Sequence, residues 1–475
     1  MEFQTVIGLE IHAQLSTKTK IFCSCSTSFG NKPNTNTCPV CLGLPGALPV
    51  LNKHAVDLAI MLALALDCTV QTESIWDRKN YFYQDLPKGY QITQFAKPYC
   101  LNGKLNIETS NGNKTIRINR IHMEEDAGKS LHDHAADNFT CVDLNRAGVP
   151  LCEIVSEPDL NSPEEAGSYL RAIRSIVRYT GVCDGNMEQG SLRCDANVSI
   201  KPFNAEKLGT KVEIKNLNSI KFVEKALHYE IQRQKALIAD RQSIIQETRL
   251  FDSDKGVTLP MRSKEDAHDY RYFPDPDLVP LIINKNWIDA IQNNLPELAP
   301  DKIMRFITDF QIPEYDAQVL ASEKELADFF EQTVAHHNQP KQIANWIMTE
   351  LLRELNRDEK SIADCLIKPK QLAQLIELID DNTISGKMAK NIFNDMYTTG
   401  QDPQNIVKEQ NLAQIIDEAS IKKIIEDIIA KNPTQHADYK SGKEKLFGFF
   451  VGQVMQAMQG QAHPQIVNRL LKELL

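Results

Sequence analysis

A chain of 475 residues is too long for one hydrophobic core and sets an expectation of roughly two to four domains. Its hydrophobic share of 42% and charged share of 24% are those of a soluble globular protein. A net charge of −10 excludes a generally basic nucleic-acid binder, so any contact with a polyanion must use a local patch. Two weak candidates exist: residues 207–241 carry eight Lys/Arg against four Asp/Glu, and 431–475 carry six against three.

The start, "MEFQTVIGLE", has no basic region followed by an apolar run, so no secretory signal is expected and the location is read as cytoplasmic. In a reducing compartment the eleven cysteines favour metal binding over disulfides. "GLEIHAQL" (8–15) alternates as a strand, with Glu10, His12 and Gln14 on one face and Leu9, Ile11, Ala13 and Leu15 on the other. Glu and His two apart on a strand are a plausible pair of metal ligands. "CSCSTSFGNKPNTNTCPVCLG" then places Cys23 and Cys25 one residue apart and Cys38 and Cys41 two apart, across a turn-rich loop with no core of its own. Four thiolates on two tight knuckles suit a tetrahedral zinc, structural because no position stays open for substrate. "LAIMLALAL" (58–66) is too short to span a bilayer and reads as a buried helix, so no membrane association is expected.

"KNYFYQDLPKGYQITQ" (79–94) reads as a turn-rich loop in which aromatics beside lysine could stack a base and touch phosphate. "RIHMEEDAGKS" (120–130) brings Glu124, Glu125 and Asp126 together. It ends like a phosphate-binding P-loop, but the leading glycine of that motif is replaced by Met123. A helix is predicted from Pro163 to Tyr179, with Ser162 as cap, acids in its first turn and Gly181 beyond its end. In "SLRCDANVSI" (191–200), Arg193, Asp195, Asn197 and Ser199 share one strand face, although Asp and Asn are depleted in ordinary strands. "KVEIKNLNS" (211–219) alternates Lys211, Glu213 and Lys215 with Val212 and Ile214, ahead of a helix near 218–240. Arg249, Arg262 and Arg271 read as surface charge. If the polar strand faces adjoin, their carboxylates can hold Mg²⁺ while Arg and Lys neutralise a transferring phosphoryl group.

Prolines in "FPDPDLVP" (273–280) and "LPELAP" (295–300) mark a boundary beyond which apolar residues recur at helical spacing, with a further break near 398–405. The fold class is therefore α+β on an antiparallel or mixed sheet, followed by helical parts.

The stretches "VIGLEIHAQL", "NTNTCPVCLGLPGALPVLN", "YFYQDLPKGYQITQ", "HMEEDAGKS", "NRAGVPLCEIVSEPDL", "GSLRCDANVSI", "VEIKNLNS", "QETRLFD" and "DYRYFPDPDL", in this order, resemble the B subunit of the aspartyl/glutamyl-tRNA(Asn/Gln) amidotransferases. The ending "FFVGQVMQAMQGQAHPQIVNRLLKELL" is similar to that family's tail. The resemblance implies a glutamine-synthetase-like catalytic cradle over 1–293 with a zinc knuckle, a helical domain over 294–403 and a small tRNA-binding tail over 404–475. It implies a ligase that forms carbon–nitrogen bonds with glutamine as amido donor. ATP and Mg²⁺ would phosphorylate the side-chain carboxylate of Glu-tRNA(Gln) and/or Asp-tRNA(Asn), and ammonia would then displace the phosphate. Ammonia would come from the amidase (A) partner of the same amidotransferase, and a small C partner would brace the heterotrimer.

Carried over by position, Glu10, His12, Glu124 and Glu125 are the leading magnesium and ammonia-side groups, with Glu153, Asp195 and Glu213 as further catalytic candidates. Arg193 and Lys215 would face phosphate, and Tyr81, Tyr83 and Lys88 would line the pocket for nucleotide or aminoacyl end. Cys23, Cys25, Cys38 and Cys41 match the zinc-bearing members. Gln84 stands where the family pattern has proline, so the loop lacks a fixed φ there. Two rival readings are a zinc-bearing tRNA adaptor without chemistry and a stand-alone amino-acid ligase.

Overall fold

A computed structural model describes residues 2–131, 140–261, 270–410, 412, 418–458, 462 and 464–475. The chain divides into two compact units, Met1–Ala299 and Pro300–Leu475.

The first unit is built on a nine-stranded sheet. From one edge to the other its strands are Val257–Pro260, Thr248–Asp252, Val212–Leu217, Leu192–Pro202, Phe3–Gln14, Pro150–Ser156, Gly112–Glu125, Cys100–Thr109 and Thr69–Val70. All neighbours run antiparallel except Val212–Leu217 and Thr248–Asp252, whose parallel pairing requires a crossover. The helix Ile220–Ala239 supplies it. The sheet is thus mixed, within an α+β architecture.

Alternation decides which face is covered. Ile7, Leu9, Ile11 and Ala13 of the first strand join Ile121, Met123, Ile154, Cys194 and Ala196 in one core. The helices Lys53–Ala65, Pro163–Tyr179 and Ile220–Ala239 contribute Val56, Tyr169 and Leu227 to that core. The middle helix starts as its sequence dictates: Ser162 accepts a hydrogen bond from the Glu165 amide, Pro163 follows, and two glutamates occupy the first turn. Because these helices cover one face, the alternate residues of the central strands are left to line the other.

Arg249 corrects the surface-charge reading. It is buried, its Nε donates to Thr258 Oγ1 at 2.8 Å and lies 3.6 Å from the fully buried Glu230. Glu230 also accepts from Nε and Nη2 of Arg233, from Thr258 Oγ1 at 2.9 Å and from Gln234 at 3.1 Å. The network ties the edge hairpin to the crossover helix. Glu230→Ala removes the acceptor that Arg233, Thr258 and Gln234 share, while Glu247 still meets both arginines, and urea denaturation is expected to show a loss of about 1–3 kcal/mol. Arg262 lies outside the described residues.

The stretch 79–94, read as a loop, is a hairpin: Asp77–Asn80 pairs with Tyr90–Thr93, and Phe273–Pro274 adds a third strand. The residues between keep the turn character. Gln84, in place of proline, donates to Ser130 Oγ at 3.0 Å and so tethers the turn by a side chain rather than by a fixed φ.

The second unit is helical, with two apolar cores among its described residues. One gathers Phe306, Phe330, Ile347, Leu375, Phe393 and their neighbours. The other gathers Ile421, Ile425, Phe450, Val454 and Leu471. The helix Pro403–Glu409 packs Ile406 and Val407 into the first of these. No helix among the described residues is long and apolar enough to cross a membrane.

Candidate active site on the polar face of the sheet

Strand register assembles the site. Glu10 lies opposite Asp195, and His12 lies opposite Arg193 on one side and Glu153 on the other. Glu153 faces His122, and Glu124 follows two residues along the same strand. On the far side Asn197 faces Glu213, with Lys215 next on that face. Five adjoining strands therefore turn acids, bases and imidazoles to one side. The depleted strand residues Asp195 and Asn197 are explained by this shared wall.

His12, Glu124 and Glu153 each place a ligand atom within 4.8 Å of the others. His12 Nε2 is 3.3 Å from Glu153 Oε2 and 3.7 Å from Glu124 Oε1. Burial alone would push His12 down, but Glu153 and then Glu124 outweigh it and raise the imidazole to about 9. Burial would push Glu153 up, yet His122 and His12 hold it well below the usual carboxylate range. One nitrogen and two carboxylates at this spacing fit a hard divalent cation that keeps its remaining positions for water and phosphate oxygens. Binding it would release the His12 proton.

Beside this cluster, Lys215 Nζ bridges Asp195 at 2.7 Å and Glu213 at 3.0 Å, and Thr248 Oγ1 donates to Glu213 at 2.7 Å. Burial, with added repulsion from Glu153, Glu213 and Asp195, pushes the Glu10 carboxyl up, partly offset by Lys215. Asn197 Nδ2 donates to Glu10 at 3.0 Å. Arg193 donates to the buried Asp126 at 2.9 Å, as does Gln14 Nε2. Burial would push Asp126 up, but Arg193 and Arg146 hold it below the usual carboxylate range.

Four assigned residues stand outside the His12–Glu124–Glu153 cluster. Glu125 does not join the cluster: it follows Glu124, points to the opposite face and accepts from Lys88 Nζ and from the Ile92 amide. Lys88 and Glu125 instead line a cavity of about 310 Å³ beside the cysteine knuckle, together with Lys20 and Tyr90. Tyr81 packs edge-on against Tyr270, with ring centroids 6.0 Å apart, and Tyr83 is exposed. Burial, with Glu124, pushes the Tyr81 hydroxyl up, so that ring stands nearer the polar face, whereas Lys88 lines the cavity.

Sequence reasoning passed over His122 and Lys79. His122 stands two residues before Glu124, so strand alternation alone could have placed it on the active face. Lys79 Nζ sits 4.9 Å from the Tyr270 ring centroid. Burial pushes it down, but Glu124, with Tyr272 and Glu153, drives it above the ordinary lysine value. Nothing local signals this, because the hairpin reaches the cluster only through long-range pairing.

The sulfurs of Cys23, Cys25, Cys38 and Cys41 also lie within 4.8 Å of one another. Zinc–sulfur bonds of about 2.3 Å in a tetrahedron put sulfurs about 3.8 Å apart. Cys38 and Cys41 are 3.9 Å apart, so the four residues fit the metal. Sharing with Cys23, the Cys38 amide and the Lys20 ammonium pull the Cys41 thiol down to about 4. Lys20 Nζ is 3.6 Å from that sulfur.

Residues 5–289 match the model of the GatB/GatE catalytic domain, and 328–475 match the GatB domain. The chain belongs to the GatB family. Proteins named as the B subunit of aspartyl/glutamyl-tRNA(Asn/Gln) amidotransferase from Thermodesulfovibrio yellowstonii and Trichlorobacter lovleyi are 54% and 56% identical to it. One of that name from Persephonella marina is 52% identical. Each match covers 100% of both chains. Membership in the GatB family makes the chain part of a multi-subunit amidotransferase, an enzyme of the ligase class.

Proposed function

We propose that the polar sheet face activates the side-chain carboxylate of Glu-tRNA(Gln) and/or Asp-tRNA(Asn) with ATP, so that ammonia can convert it to the amide. A carboxylate is a poor electrophile because its charge repels an amine. Attack of one carboxylate oxygen on the γ-phosphorus of ATP forms an acyl phosphate and releases ADP. Ammonia then attacks the acyl carbon, inorganic phosphate leaves, and the amide remains.

The observation that carries this reading is the convergence of His12, Glu124 and Glu153 beside Glu10, Asp195 and Lys215 on adjoining strands. His12, Glu124 and Glu153 would hold Mg²⁺, which would neutralise the phosphate oxygens during transfer. Lys215, held between Asp195 and Glu213, would meet a phosphate, and so would Arg193 from its anchor on Asp126. The separate Lys88–Glu125 pair suits the ammonia side, and Tyr81 and Tyr83 the aminoacyl end. Zinc on the four cysteines braces the loop. Such a cradle over 1–293 parallels glutamine synthetase in chemistry, with 294–403 as a helical domain and 404–475 as a tRNA-holding tail.

Ammonia would come from glutamine hydrolysed by an amidase (A) partner, with a small C partner completing the assembly in the cytoplasm. The assembled complex, given free ammonia in place of glutamine, is expected to hydrolyse ATP only when Glu-tRNA(Gln) or Asp-tRNA(Asn) is present. ATP turnover indifferent to the charged tRNA would contradict the proposal.

A further inference from the structure

Glu153 lies between two histidines. Its Oε2 is 3.3 Å from His12 Nε2 and 3.1 Å from His122 Nε2, so both rings aim at a single carboxylate oxygen. His122 Nε2 is also 3.8 Å from Glu124 Oε2. The ring is only 5% exposed, and its Nδ1 is buried without a hydrogen-bond partner among the described residues. A proton on Nδ1 would bury a donor with no acceptor, which costs more than leaving a bare lone pair there. The proton therefore belongs on Nε2, where it meets Glu153.

We propose that His122 is a positioning residue that sets the affinity of the His12–Glu124–Glu153 centre for its divalent cation by fixing the Glu153 carboxylate. The inference rests on the reading of that centre as a cation site. His12 cannot do both jobs. Once its Nε2 turns to a cation it no longer meets Glu153, and the His122 Nε2 contact at 3.1 Å is what remains on that carboxylate oxygen. That contact restricts which way the carboxylate turns before the cation arrives. A histidine buried only to fill space has no reason to aim its one satisfied nitrogen at a ligand oxygen while the other goes unpaired. Outer hydrogen-bond partners of ligating groups typically govern about 10–100-fold of metal affinity.

The test uses the purified full-length chain with Mn²⁺ as the probe, its binding followed by the electron paramagnetic resonance signal of the free ion. Wild type is expected to take up Mn²⁺ at a site lost in His12→Ala. His122→Leu is expected to weaken the Kd about 10–100-fold. His122→Gln, whose amide nitrogen reaches near the position of Nε2, is expected to recover most of that loss. His122→Asn, too short to reach Glu153, repeats the weakening with a polar side chain, should the leucine variant fail to fold. Wild-type affinity in the Leu or Asn variant, or a Gln variant as weak as these, overturns the role of His122 and leaves the cation site standing. Absence of an Mn²⁺ site sensitive to His12→Ala removes the cation site itself, and this inference with it.

Discussion

Glu124→Gln in the assembled amidotransferase is expected to lower charged-tRNA-dependent ATP hydrolysis by about 10²–10³-fold, the usual effect of removing one group that stabilises transition-state charge. The change keeps the side-chain volume and removes one charge. Glu124 is buried, and among the described residues its side chain accepts one hydrogen bond, a long one of 3.5 Å from Thr93 Oγ1. Its weight is electrostatic, exerted on His12 at 3.7 Å, His122 at 3.8 Å and the raised Lys79. In the variant, His12 can relieve the excess positive charge by losing its proton, so the fold should survive while cation binding does not. Amidation with free ammonia should fall in parallel. Undiminished ATP hydrolysis and amidation would favour the adaptor reading, in which this face has no chemistry.

Loss of the zinc knuckle should have the largest structural effect. The segment between Cys25 and Cys38 is mostly exposed, and no residue of it belongs to a core cluster. Structural zinc contributes an apparent 10–16 kcal/mol or so in small peptides, as much as the whole stability of a typical domain. Cys41→Ser, or chelation, is therefore expected to unfold the knuckle entirely while the sheet remains. Gly43 lies so close to Lys88 that an added Cβ would sit 2.4 Å from its Cγ, so the knuckle backbone supports the Lys88–Glu125 pair directly. Amidation should fall with the knuckle, and limited proteolysis should cut between residues 23 and 41. Metal analysis should find one zinc per chain in wild type and none in Cys41→Ser. Full protease resistance in that variant would show that the metal does not hold the loop.

Much of this was legible because strand alternation is a local property. "GLEIHAQL", "RCDANVS" and "VEIK" announced which residues share a face, and the capping signals of Ser162 and Pro163 announced a helix. The cysteine spacing announced its own geometry. What stayed hidden depends on pairing between distant segments. Glu124 and Glu125 look equivalent in the chain, yet they point to opposite faces, and only Glu124 meets Glu153 and His12. Lys79 and Lys88 sit on or beside one hairpin but serve different neighbourhoods. Arg249 looked like surface charge because its partner Glu230 lies on a helix that its own segment does not reveal.

In the proposed reaction the substrate's own carboxylate receives the phosphoryl group. Glutamyl-tRNA(Gln) carrying ¹⁸O in its side-chain carboxylate, turned over by the complex with unlabelled ATP and ammonia, should deliver one ¹⁸O atom to each inorganic phosphate released. Inorganic phosphate free of ¹⁸O, with the amide still formed, would mean that no acyl phosphate is made.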